Sequence, residues 1–231
     1  MKAKSTQKTA RRKSPTKAKA PSGPKRKNAE ETISRVISVA TRMFALKGYE
    51  GASVKEVCRE AKVNVAAVHY HFDSKENLYR AVVEQFGRHS FDAGIRSLQS
   101  PKSIEEFRTR LSVFLTEIIE SVSERPELAL TIVRDSQTHP ELMREILKGT
   151  FEPMEKALRS FMASAIESGV LDSSTDEQTS VLALQVHIHY LISNFRALKF
   201  QYGFDLQNPE HRRGWVKRVI DIYLYGMAAR N

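Results

Sequence analysis

From Glu31 onward, apolar residues recur three or four positions apart, and this spacing predicts helices almost without a break. Ile33, Val36, Ile37, Ala40 and Phe44 form one stripe that stops before Gly48, which predicts a helix over 32–47. Ser53-Val-Lys-Glu56 has the form of a capping box, and Val54, Val57, Cys58 and Ala61 then make a short helix ending near Ala61. Asn64 suits the N-cap of another short helix, Val65–Phe72, in which Val68 and Phe72 lie four apart. Ser74 caps a longer one through Leu78, Ala81, Val82 and Phe86. Ser103-Ile-Glu-Glu106 is a second capping box, and it opens a stripe of Ile104, Phe107, Leu111, Phe114, Leu115, Ile118 and Val122.

Pro126 and Pro140 each suit the first turn of a new helix. The Phe151, Met154, Leu158, Phe161, Ala165 series predicts a further, separate helix closed by Gly169. Thr175-Asp-Glu-Gln178 caps the next, which carries Val181, Leu184, Ile188, Leu191, Phe195 and Leu198, and Pro209 opens the last, through Val216, Ile220, Tyr223 and Met227. No stretch alternates in the manner of a strand bounded by turns. The expected fold is all-α, of about nine helices. The last two helices are apolar on more than one side, because Leu182, Ile192, Trp215, Val219 and Ile222 stand beside the main stripes. Two explanations are open: a homodimeric four-helix interface, or two helices central to the core of a monomer.

Composition narrows the class. A hydrophobic fraction of 41% and a charged fraction of 28% are ordinary for a soluble globular chain. No apolar run approaches the roughly 18 residues of a membrane span, and no apolar stretch follows the first basic residues as a secretory signal requires. The expectation is a cytoplasmic protein with no membrane partner. A single cysteine, Cys58, excludes an intrachain disulfide and a cysteine-cluster metal site, and reads as a small buried hydrophobe. The net charge of +10 is unevenly placed: eleven of the 37 basic residues lie among the first 29, which contain no acid. The remainder is close to neutral. The tail is therefore expected to be disordered, with Arg11-Arg12-Lys13 and Lys25-Arg26-Lys27 either engaging DNA phosphates or serving only as a solubilising segment.

Residues 53–72 place a capped helix, a turn of about three residues and a second short helix in succession, the order of a helix-turn-helix. Such hairpins also occur as plain packing units. The residues decide further. Phe44-Ala-Leu-Lys-Gly-Tyr49, Ser53-Val-Lys-Glu-Val57 and Val68-His-Tyr-His-Phe-Asp-Ser-Lys-Glu76 resemble the DNA-binding domain of TetR-family regulators over 32–86. Val63-Asn-Val-Ala-Ala-Val68 is similar to the CecR-like subgroup, and Pro126–Leu171 is weakly similar to its C-terminal domain. The resemblance implies a transcriptional repressor that binds a double-stranded inverted-repeat operator as a homodimer and leaves it when a small-molecule effector binds. It implies phosphate contacts from Tyr70 and Lys75, with bases read from the start of the third helix. The domains then run 1–29 (basic tail), 30–77 (helix-turn-helix) and 78–231 (effector binding and dimerisation).

Two positions depart from the family pattern. Lys62 stands where the turn usually has Gly, which predicts a strained or altered turn, and Ala67 replaces a hydroxyl residue. The DNA-facing candidates are Ser53, Asn64, Val65, Ala66, Ala67, His69, Tyr70, His71 and Lys75. This face lacks an Arg, Gln or Lys to grip a purine, so readout is expected from thymine methyls, Asn64, His69 and DNA shape. His71 reads first as a helix-end packing residue and second as a DNA contact. His69 and His71, like His187 and His189, are two apart on a helix, roughly 200° around it, and cannot share a metal.

For the effector, His187, Tyr190 and Asn194 form a polar stripe on a helix otherwise rich in large hydrophobes, with Arg134 and His139 as weaker candidates. The same stripe could instead edge a dimer interface. No Gly-rich phosphate loop, zinc-protease helix or nucleophile elbow is present, so neither enzyme activity nor a cofactor or metal is expected. The alternative function is a DNA-binding protein without an effector, acting architecturally or through a protein partner.

Overall fold

The computed structural model describes residues 24–227, and these form nine helices. They are α1 (Pro24–Gly51), α2 (Val54–Ala61), α3 (Val65–Phe72), α4 (Lys75–Ser97), α5 (Ile104–Glu124), α6 (Pro126–Thr138), α7 (Pro140–Glu167), α8 (Glu177–Tyr202) and α9 (Pro209–Met227). The basic tail expected over 1–29 lies outside the described residues up to residue 23. From Pro24 the chain is already helical, because a proline suits the first turn and Asn28, Ala29, Glu30 and Glu31 contain no helix breaker.

Helix starts follow the sequence closely. The Ser74 hydroxyl accepts from the Asn77 N–H at 3.1 Å, the Ser103 hydroxyl from Glu106 at 3.2 Å, and the Asp176 carboxylate from Thr179 at 2.7 Å. The cap of α8 is thus Asp176, one residue past the expected Thr175. A larger correction concerns α7, which runs unbroken through Pro153 where two helices were expected. Pro153 removes the hydrogen bond to the Gly149 carbonyl at a cost of about 3 kcal/mol. Met143, Ile146, Met154, Leu158, Phe161 and Met162 on both sides of it are buried, and their packing outweighs that loss.

One hydrophobic core runs through the molecule. Val36, Ala40, Phe44, Val57, Cys58, Ala61, Val68 and Phe72 close α1–α3 around each other; Leu78, Tyr79, Val82, Val83 and Phe86 of α4 carry the cluster onward to α5, α6 and α7. Burial raises the Cys58 thiol pKa, as suits an unreactive core residue. α4 crosses the expected boundary at residue 77 as a single helix, so the small N-terminal unit is built onto the larger one. The α4–α7 crossing is tight: a Cβ on Gly87 would come within 2.1 Å of Thr150 Cγ2.

α2 ends at Lys62, whose φ of 54° and ψ of 47° are left-handed. Its N–H bonds to the Arg59 carbonyl and that of Val63 to Cys58, the paired closure usually served by glycine. The turn is therefore not altered by the lysine but strained by it. Lys62→Gly is expected to raise the unfolding free energy by about 1 kcal/mol, read as a higher urea midpoint with an unchanged denaturant slope.

Candidate nucleic-acid interface

α2 and α3 meet through Val57, Cys58, Ala61, Val68 and Phe72, all buried, and this leaves one side of α3 facing outward. Ala66, His69, Tyr70 and His71 are exposed, with Tyr70 at 85%, while Val65 and Ala67 are half-buried. An exposed tyrosine on an eight-residue helix serves nothing in the monomer core. Asn64 Oδ1 accepts from the Ala66 N–H at 2.9 Å, so the N-cap is spent on the helix and the amide NH2 remains to donate. His71 does not pack at a helix end, as first expected. It is exposed, edge-on to the Tyr70 ring at 5.1 Å.

The supporting contacts come from α1. Lys47 donates to Glu56 at 3.0 and 3.1 Å, and Arg42 pairs with Glu60 at 2.5 Å, which ties α2 to α1. The hydrogen bond from Lys47 is the main cause of a lowered Glu56 pKa, and the Ser53 N–H adds to it. The capping box is thus half made: Ser53 is the N-cap of α2, but its hydroxyl makes no cap bond. Lys75 lies over the Tyr49 ring at 4.5 Å and donates to the Glu50 carbonyl at 3.1 Å, so its ammonium is held at the end of α1.

The second feature is a partly open cavity of about 270 Å³ bordered by α4, α5, α6, α7 and α8. Phe86, Phe91, Ile118, Ile132, Phe151 and Ile192 give it an apolar wall, and Ser90, Glu155, Gln185 and His189 its polar atoms. Ser90 is already bonded to the Phe86 carbonyl at 2.8 Å and to Ser121 at 2.6 Å, and Glu155 to Arg159 at 2.9 Å. Gln185 and His189, four apart on α8, form the polar end, with His189 Nε2 3.4 Å from Gln137 Nε2 of α6.

The four expected effector residues stand elsewhere. His187 bonds the Ala183 carbonyl and packs against Tyr223 of α9; Tyr190 is exposed; the Asn194 amide donates to the Tyr190 carbonyl; Arg134 lies against Asp135 at 3.6 Å. The physical reason is rotation about α8. The stripe at 187, 190 and 194 lies roughly half a turn around the helix from 185, 188, 189 and 192, which line the cavity.

A buried carboxylate links the two features. Asp135 of α6 is 3% exposed and accepts from the Tyr79 hydroxyl of α4 at 2.8 Å and from the Tyr49 N–H at 3.1 Å. Gly48 makes the second bond available: its φ of 71° breaks α1 and turns the next N–H toward α6, and a Cβ there would strike Arg134 at 2.5 Å.

A family profile described as bacterial regulatory proteins, tetR family, matches residues 36–82. The negative transcriptional regulator IcaR of the icaADBC biofilm operon in Staphylococcus epidermidis is 31% identical over 190 residues, spanning 82% of this chain and 97% of its own length. The chain belongs to the TetR family. It is accordingly a DNA-binding transcriptional regulator. The TetR-family match extends past the helix-turn-helix: AcrR of Shigella flexneri is 22% identical over 219 residues, covering 89% of this chain and 95% of that protein. Among solved structures, FadR of Bacillus subtilis, crystallised with stearoyl-CoA, shares the fold with a TM-score of 0.69 over 84% of this chain and 98% of FadR, at 15% identity.

Sequence reasoning found the outward face of α3 but missed the cavity wall and Asp135. The paired apolar faces of α8 hid the first. Nothing local marks the second, since its partners lie 56 and 86 residues away.

Two outcomes follow from the tyrosines. Tyr79→Phe removes a donor from a buried carboxylate and is expected to cost about 1.5 to 3 kcal/mol in urea unfolding. Burial raises the pKa of both Tyr79 and Tyr223 above 10.0 in the folded protein, so their contribution is complete below pH 10.0 and is lost as pH rises beyond it. Circular dichroism against pH is expected to show alkaline unfolding that begins later in Tyr223→Phe.

Proposed function

We propose that this TetR-family regulator binds an inverted-repeat operator as a homodimer, represses transcription, and is released when a compact apolar effector fills the cavity between α4 and α8. The carrying observation is the position of α6. Its Ala129, Ile132 and Val133 line the cavity, and its Asp135 holds α1 and α4, the helices on which α2 and α3 are mounted. A ligand that displaces α6 thereby displaces the DNA-reading face.

In this reading Asn64, Val65, Ala66, Ala67 and His69 meet bases, and Ser53, Tyr70, His71 and Lys75 meet phosphates. The half-made capping box supports the role of Ser53, since its hydroxyl is not spent on α2. Lys75 would reach a phosphate from its seat on Tyr49, already oriented. Repression is supported by IcaR, which is named a negative regulator. The absence of a helix long and apolar enough to cross a membrane among the described residues accords with action in the cytoplasm.

A cavity near 270 Å³ is at the small end of ligand sites, which run from roughly 300 Å³ upward. It suits a compact molecule with an apolar body and a hydrogen-bonding group at Gln185 and His189. A long acyl chain on a nucleotide, the ligand of the FadR structure, would overfill it.

The partner face is supported by side chains left outward on α8 and α9. Leu182, Val186 and Tyr190 fall four apart and are 57%, 56% and 57% exposed, and Ile222 and Tyr225 are 60% and 86% exposed. A second copy covers them. Leu182→Asp with Val186→Asp is expected to give a monomer in sedimentation and to lower operator affinity at least a hundredfold; a variant that stays dimeric would place the interface elsewhere.

The test of sensing is a thermal-shift screen of compact aromatic and aliphatic compounds. Active compounds are expected to raise the melting temperature of the full chain, to lower its operator affinity, and to lose the first effect in Ile188→Trp, which fills the cavity. A ligand whose effect survives Ile188→Trp binds at another site.

A further inference from the structure

We propose that the neutral His69 ring reads DNA as a hydrogen-bond acceptor, selecting a base that presents an amino group in the major groove: adenine through N6 or cytosine through N4. The proposal rests on the reading of α3 as the base-contacting helix and adds which base it chooses at one position.

The argument starts at the junction of α3 and α4. Asp73 has a φ of 65° and a ψ of −49°, and the Ser74 N–H bonds the Phe72 carbonyl at 2.7 Å. This is the positive-φ γ-turn, a rare and strained conformation for a residue with a side chain. It turns the chain sharply out of α3. It also brings the Asp73 backbone onto His69 twice: the Asp73 N–H donates to the His69 carbonyl at 2.8 Å, and the His69 ring Nδ1 lies 2.9 Å from the Asp73 carbonyl oxygen.

A carbonyl oxygen only accepts, so Nδ1 must carry the hydrogen in that bond. A neutral imidazole has one N–H. In that neutral ring Nε2 keeps its lone pair, and the ring is exposed on the outward side of α3 with its orientation set by the Asp73 carbonyl. Major-groove edges offer acceptors at guanine N7 and O6, adenine N7 and thymine O4, all of which would set lone pair against lone pair with Nε2. Only the amino groups of adenine and cytosine complement it.

His71 carries no such bond to a backbone carbonyl, and the free group of Asn64 is an amide donor. The two groups flanking the groove-facing side thus have opposite hydrogen-bond character: a donor at the helix start and an acceptor one turn later. The selectivity comes from a tautomer, set by a turn that contacts no DNA.

The experiment selects bound duplexes from a random pool with the full-length protein and with His69→Ala and His69→Arg. The wild type is expected to enrich an inverted repeat in which one position per half-site is adenine or cytosine on the contacted strand. His69→Ala is expected to lose about tenfold preference at that position alone, and His69→Arg to shift it to guanine. An independent readout is the long-range proton–nitrogen correlation spectrum of the DNA-free wild type, where the hydrogen is expected on Nδ1. A ring carrying it on Nε2, or on both nitrogens with guanine selected, would falsify the proposal. A clear half-site unchanged in His69→Ala overturns the proposal alone. A pool with no enriched half-site overturns the reading of α3 as well.

Discussion

A carboxylate removed from water must find donors within the protein or destabilise the fold that buries it. Asp135 finds them on two other helices, and the arrangement of the molecule follows from that requirement. The Tyr79 hydroxyl reaches it from α4, and the Tyr49 N–H reaches it only because α1 breaks at Gly48. The aromatic rings of Phe44, Tyr49 and Tyr79 then cluster at the junction, Phe44 edge-on to Tyr79 with centroids 4.7 Å apart and Tyr49 tilted against Tyr79 at 5.2 Å. Breaking these bonds leaves the buried carboxylate with only the Arg134 guanidinium at 3.6 Å, so parting α1 or α4 from α6 carries a cost. Lys75 strengthens the same corner from the start of α4 by covering Tyr49 and bonding the end of α1.

Local signals were the legible part of the fold. Caps at Ser74 and Ser103, prolines at the starts of α6 and α7, and the stop at Gly48 each act within a few residues of themselves, so a reader of the chain meets cause and effect together. Pro153 misled for the opposite reason. Its local penalty is visible in the sequence, whereas the buried side chains that outweigh it gain their neighbours from α4, α5 and α8. Lys62 is intermediate: the left-handed geometry of its position was predictable from the motif, and the structure shows the backbone adopting it despite the side chain.

The candidate site divides in the same way. The outward face of α3 was readable because Val68 and Phe72 anchor the opposite side, which settles the orientation of an eight-residue helix. The state of the His69 ring was not readable, since it depends on a carbonyl aimed by an unusual turn. The cavity wall was hidden by the composition of α8. When most of a helix surface is apolar, periodicity shows that the helix is covered and leaves open which covering lies on which side.

That division of α8 has an evolutionary reach. Positions 185, 188 and 192 line the cavity and His189 sits at its exposed rim, whereas 182, 186 and 190 face outward and do not line it. Under the proposed function, chemical taste and self-recognition are separately mutable along one rod of backbone. On that reading a lineage acquires a new inducer by drift at the inner positions while every intermediate still assembles with its ancestors.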